Sequence, residues 1–241
     1  RVRGCYSLIR SVAEYASANR DEIKSMLREV DMKTVSRGAE PSVADSFAID
    51  YIARALPEKV TIQTYQAESV TDASGRRRLQ RSNRQVNVTV PYYIDFQPLR
   101  NVKFPFAYII TTHDPDIMSL LSIQGIKIEN LAVDSKIEVE RFEISELKGS
   151  TRLNQGHYMN SIKGKYVRGV VNFPAGTVVV RTSQKLANLA AYLLEPESND
   201  GLMTWNLFDR YLVPQWGMGY NPYPVYKVID KTLLKTIVIS N

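Results

Sequence analysis

The sequence predicts a mainly β protein: an antiparallel β-sandwich with short helices, preceded by an N-terminal helical segment. Three observations lead there. Apolar residues recur at three- and four-residue spacing through the first thirty or so positions, then at a spacing near two from about Ser46. Turn-forming Gly, Pro, Asn and Asp punctuate the second part at short intervals. Many strands joined by turns favour two packed antiparallel layers. The expected division is a helical segment over 1–42 and a β-sandwich-like domain over 43–241.

In the helical segment Cys5, Leu8, Ile9, Val12 and Tyr15 share one face. A buried packing role is expected for Cys5. As the single cysteine, it excludes an internal disulfide and a thiolate metal cluster. Asn19 or Asp21 can cap a second helix whose stripe is Ile23, Met26, Leu27 and Val30. Asp21 and Glu22 early and Arg28 late suit its dipole. Gly38 and Pro41 predict a loop over 36–42.

From Ser46 the period shortens. Phe47, Ile49 and Tyr51 predict one strand, Val60 to Gln66 another, and Val86, Val88 and Val90 a third. Between them, Asp72 to Arg84 holds Gly75, Arg76, Arg77, Arg78, Arg81 and Arg84, and is expected to be an exposed hairpin loop. Phe106 to Ile110 is the next strand. Asp114 as N-cap, Pro115 at the first helical position and Gly125 past the end predict a short helix. Strands follow at 126–132, 137–144, 166–171 and 177–180, the last two around a Pro174-Ala175-Gly176 turn. Gln184 to Leu194 is amphipathic and stops before Pro196. Residues 202–212 are expected to be helical or irregular, and 223–228 a last strand.

Length and composition permit a substantial core: 241 residues, 44% of them hydrophobic and 23% charged. No apolar run approaches the roughly 20 residues of a membrane span. The chain opens with Arg1 and a helical pattern, with no signal peptide in view, and reads as cut from a longer protein. A net charge of +6 is a mild basic excess that permits acidic partners without requiring one.

Catalytic chemistry finds few candidates. Zinc hydrolysis needs three ligands and a base. Only His113 and His157 exist, and neither HExxH nor HxxE occurs. Asp114 and Asp116 stand near His113, with Asp114 expected to cap the following helical turn, and His157 is expected to be a surface or structural residue. There is no GxSxG elbow, and Gly217-Met218-Gly219 lacks the rest of a phosphate loop. Glu138, Glu140 and Glu143 read as a solvated strand face. Trp205 is expected in the core and Trp216 in a more open place. The arginines cluster in one loop and the aromatics elsewhere, so no nucleic-acid partner is expected.

One stretch is more specific. It runs Pro174-Ala175-Gly176-Thr177-Val178-Val179-Val180, then Gln184 to Ala190. It continues Leu193-Leu194-Glu195-Pro196-Glu197-Ser198-Asn199-Asp200-Gly201-Leu202, Trp205 to Asp209, and Tyr223-Pro224-Val225-Tyr226. This resembles the C-terminal region of a bacterial branch of the zinc carboxypeptidases, the carboxypeptidase A-like family. Val90 to Tyr93 and Pro105 to Ile110 resemble that family's sandwich strands. Leu121 to Glu129 is similar to its Leu-x-x-His-Gly-Ile segment, with Gln124 where the histidine is usual. Arg1 to Ile23 resembles the last helices of the catalytic domain.

The resemblance implies a non-catalytic C-terminal portion that stabilises a peptidase domain or shapes its substrate cleft. The family's zinc sits on a His-x-x-Glu pair and a later His, with a glutamate as base, all upstream of Arg1. This chain is therefore expected to hold no catalytic, cofactor-binding or metal residue, and zinc belongs to the full-length parent. The implied partners are the parent's own peptidase domain and, through it, a peptide substrate. The parent is expected to be secreted or periplasmic. Glu195, Glu197 and Asp200 are expected to satisfy backbone donors where two layers meet. The alternative is a polysaccharide or cell-wall binding module built around Trp216.

Overall fold

The computed structural model describes residues 2–42 and 44–239. Two helices come first, α1 (Val2–Ala18) and α2 (Arg20–Ala39). The loop expected from residue 36 starts later, because Gly38 lies inside α2. A Cβ there would stand 2.0 Å from the Thr182 carbonyl oxygen, so glycine is what lets the helix end approach that backbone. Arg37 reinforces the contact, its guanidinium 3.9 Å from the Phe104 ring centroid and donating to Asn188.

Eleven strands are described: β1 (Ser46–Ala55), β2 (Val60–Thr71), β3 (Arg77–Val90), β4 (Tyr93–Lys103), β5 (Ala107–Ile110), β6 (Glu129–Leu131), β7 (Ser135–Gly149), β8 (Asn160–Phe173), β9 (Val178–Arg181), β10 (Val225–Val228) and β11 (Thr236–Val238). Between them lie α3 (Pro115–Ile123), α4 (Ala187–Leu194) and the single turn α5 (Asp209–Leu212). The protein is mainly β, with antiparallel sheets, a few short helices and a helical N-terminus, as the sequence predicts. The expected loop at 72–84 is a correction: only the turn before Arg77 is loop, and the arginines continue as strand β3.

The chain forms two compact units, residues 1–49 with 101–241, and residues 50–100. The larger contains a seven-stranded sheet in the order β11-β6-β9-β5-β10-β7-β8. Strand β5 is buried on both faces, so it has no polar alternation. Tyr108 and Ile110 point to one core, built with Ile117 and Leu121 of α3, the alanine face of α4, and Leu202, Met203 and Phe208. Ala107 and Ile109 point to a second core with Val179, Val228, Ile137 and Phe173. Arg181 ties the edge: it bonds Glu129 at 2.9 Å and the Leu234 carbonyl at 2.8 Å, joining β9, β6 and the approach to β11.

The smaller unit has a different character. Strands β2 and β3 form a two-stranded sheet, and β1 and β4 form another. None of residues 50–100 is buried. Cross-strand pairing and a few side-chain contacts such as Thr61 with Thr89 hold it, and a two-stranded ribbon alone is marginal in water.

Candidate functional site

The most distinctive stretch of sequence surrounds a sealed polar centre. Helix α4 ends at Leu194 because Pro196 disfavours helical geometry one residue back and cannot itself donate. Glu195 caps the helix, its N–H donating to Ala191, and its side chain turns inward with no exposed surface. Tyr108 donates its hydroxyl to Oε1 at 2.7 Å and Tyr166 donates to Oε2 at 2.7 Å. Lys227, 2% exposed, sets its ammonium 3.3 Å from Oε1 and 3.4 Å from Oε2. The same ammonium lies 3.6 Å from the Tyr166 ring centroid. Tyr223 donates to the Leu194 carbonyl at 3.2 Å, satisfying an open helix end.

Burial, and then the adjoining Glu195 charge, push the hydroxyls of Tyr108, Tyr166 and Tyr223 well above the ordinary tyrosine range. They stay protonated donors at any pH the fold meets. The Glu195 carboxylate is engaged by two hydroxyls and one ammonium and has no exposed surface. It cannot act as a base on a substrate. It joins α4 to β5, β8 and β10.

The expectation for Glu195 and Asp200 is corrected. Glu195 takes side-chain donors, because the tyrosines and lysine of the sheet reach it. Asp200 accepts from the Trp205 indole N–H. The turn just after Asp200 is fixed by packing: a Cβ on Gly201 would meet the Tyr192 carbonyl oxygen at 2.9 Å. Trp205 is half-buried at the rim, with its indole N–H given to Asp200 and its ring in an edge-to-face contact with His157 at 5.4 Å, so it does not sit in the core as expected.

Asp114 serves the helix start as predicted. Its Oδ1 accepts from the amides of Asp116 and Ile117, and its Oδ2 from Arg210 and from the Tyr211 hydroxyl at 2.9 Å. The Arg210 guanidinium and these donors outweigh burial and hold its pKa at about 2. His113 Nε2 is 2.9 Å from the Gly176 carbonyl oxygen, which fixes that nitrogen as a donor. Gln124 is an exposed helix cap. Among the described residues no group of three or more His, Cys, Asp or Glu side chains is placed to hold a metal, so the donor set does not fit a zinc site.

Two surface features complete the picture. Cys5 is exposed, contrary to expectation, because α1 buries none of its residues. Leu8, Ile9, Val12 and Tyr15 form an apolar stripe on that helix and all lie open. Trp216 is 86% exposed in a loop with fully exposed Met218, the open placement the sequence predicts.

No model of a known protein family matches the chain, and no solved structure matches it. Carboxypeptidase 2 of Trichophyton rubrum is 30% identical over 131 residues, 50% of this chain and 24% of that protein. About half of the chain is a carboxypeptidase-like region. Carboxypeptidase 2 of Trichophyton tonsurans is 28% identical over 52% of the chain and 22% of its own length. Probable carboxypeptidase 2 of Arthroderma benhamiae is 30% identical over 40% and 18%. The chain spans about a quarter of the length of the curated relatives it matches.

Proposed function

We propose that this chain is the non-catalytic C-terminal portion of a zinc metallocarboxypeptidase, which stabilises the peptidase domain and narrows its substrate cleft. The similarity to a quarter-length portion of the fungal carboxypeptidases carries the proposal. Two features of the chain support it. Among the described residues no group of three or more His, Cys, Asp or Glu is placed to hold a metal, and in this reading the peptidase domain holds the zinc. The bare apolar stripe of α1 has the form of a helix whose cover lies elsewhere in the parent.

The test compares the 241-residue chain with the full-length parent. With zinc, the parent releases C-terminal residues from peptides and the chain does not. Fully burying one aliphatic side chain stabilises by about 1.5–3 kcal/mol. Ile9→Asp with Val12→Asp therefore destabilises the parent by several times the thermal energy and leaves melting of the chain unchanged. Chelator-sensitive peptide trimming by the chain alone overturns the proposal, as does a parent indifferent to the α1 substitutions.

A second reading rests on Trp216. An exposed indole in a glycine-flanked loop suits stacking on a sugar ring of a cell-wall polysaccharide. Sedimentation with peptidoglycan that Trp216→Ala abolishes would favour it, and no binding would end it.

A further inference from the structure

The β2–β3 hairpin has a composition that neither reading uses. Its register sets Arg77 opposite Thr71, Leu79 opposite Ser69 and Arg81 opposite Ala67. Residues directly opposite share a face, so two arginines flank a leucine on a face that carries no acid at these positions. The opposing side chains are too small to cover Leu79, which is 76% exposed. Arg81 lies with its guanidinium 3.5 Å from the Tyr65 ring centroid, extending the row with an aromatic.

The nearby acids do not neutralise this row. Asp72 is committed to the turn, accepting from the Ser74 and Arg76 amides and from the Ser74 hydroxyl. Glu68 pairs across the strands with Gln80, on the opposite face with Arg78. Arg76, Arg77, Arg78, Arg81 and Arg84 make no ion pair among the described residues. A ribbon with its backbone paired internally thus presents unneutralised guanidinium groups around a bare apolar side chain.

We propose that this hairpin face docks on a phospholipid bilayer surface bearing anionic headgroups. Guanidinium groups bind phosphate oxygens through paired N–H donors. Leu79 enters the acyl boundary between them, and Tyr65 suits the headgroup level. A nucleic acid offers phosphates for the arginines and leaves Leu79 in water, which is why the bilayer is favoured. The contact is peripheral: no helix among the described residues is long and apolar enough to cross a membrane.

The test is sedimentation of the 241-residue chain with vesicles of phosphatidylglycerol and phosphatidylcholine, with phosphatidylcholine alone, and in parallel with a short DNA duplex. Each basic side chain near an anionic surface strengthens binding by roughly fivefold. Arg77→Gln with Arg81→Gln should weaken binding to the anionic vesicles by about 25-fold. Arg77→Gln alone, which spares the Arg81–Tyr65 stack, should weaken it by roughly fivefold. Leu79→Ser should weaken vesicle binding without changing the melting temperature, and raising salt to ~1 M should release the chain. Equal binding to neutral vesicles, wild-type binding by the Leu79 variant, or binding to the duplex without binding to vesicles overturns the proposal.

Discussion

Replacing Lys227 with methionine tests the sealed centre directly. The substitution keeps length and apolar packing and removes one charge. Glu195, with no exposed surface, would then hold a carboxylate against two tyrosine hydroxyls and no cation. Breaking a buried pair from one side typically costs about 3–5 kcal/mol, because the remaining charge has lost both water and partner. Unfolding free energy should fall by that amount for Lys227→Met. Glu195→Gln should cost about as much, since it leaves the ammonium with only the Tyr166 ring and a neutral amide. The double variant leaves no buried charge, so it should be more stable than the sum of the singles implies, by at least about 2 kcal/mol. Urea titrations followed by tryptophan fluorescence and circular dichroism measure all four proteins, with coincident transitions as the two-state check. Single losses below about 1 kcal/mol, or a double variant equal to the sum of the singles, would refute the assignment of Glu195 and Lys227 as a coupled buried pair.

Tyr108→Phe and Tyr166→Phe should each cost about 1.5–3 kcal/mol in the same titrations, the range for a hydrogen bond to a charged group. Asp114 gives a pH dependence. Its folded pKa of about 2 lies below the ordinary 3.8, so its stabilisation is complete above pH ~4 and disappears as pH falls through about 2. The effect should be about 1–2 kcal/mol, allowing for solvent screening at the exposed Arg210, and Asp114→Asn should flatten it in acid titrations. Gly38→Ala, which in an open helix would gain about 1 kcal/mol, should instead lose about 1–3 kcal/mol, because the new methyl meets the Thr182 carbonyl. Its melting temperature should fall.

Local rules recover much of the architecture. Asp114, Pro115 and Gly125 mark α3 because caps are short-range devices, and Pro196 marks the end of α4 for the same reason. Strands β5 and β9 are dense in apolar residues and stand out. Strand β4 does not: Asp95, Pro98 and Arg100 break its alternation, and it is exposed along most of its length. Strand β11 is three residues of an edge. Gly38 looks like a breaker until the distant Thr182 carbonyl is known to lie against it. The polar centre is hidden for the same reason. Glu195 is one of many acids in the sequence, and its partners lie 87, 29 and 32 positions away. A carboxylate placed just before a proline at the end of an alanine- and leucine-rich helix was the available sign that it turns inward.

The distribution of burial bears on where function resides. Among the described residues, the tyrosines whose pKa is pushed well up are all partnered, with Tyr108 and Tyr223 buried and Tyr166 half-buried. The surfaces left bare are of another kind: a helix with no buried residue, a hairpin with unneutralised arginines, and a loop tipped by Trp216 and Met218. The thiol of Cys5 reports on the first of them. In the 241-residue chain it should react with a thiol reagent without prior unfolding, because α1 is open. In a full-length parent whose peptidase domain covers that face, labelling should require opening and slow by the population of the open state. Equal labelling rates in both would mean that the stripe of α1 stays in water, and the packing proposed for it would fall.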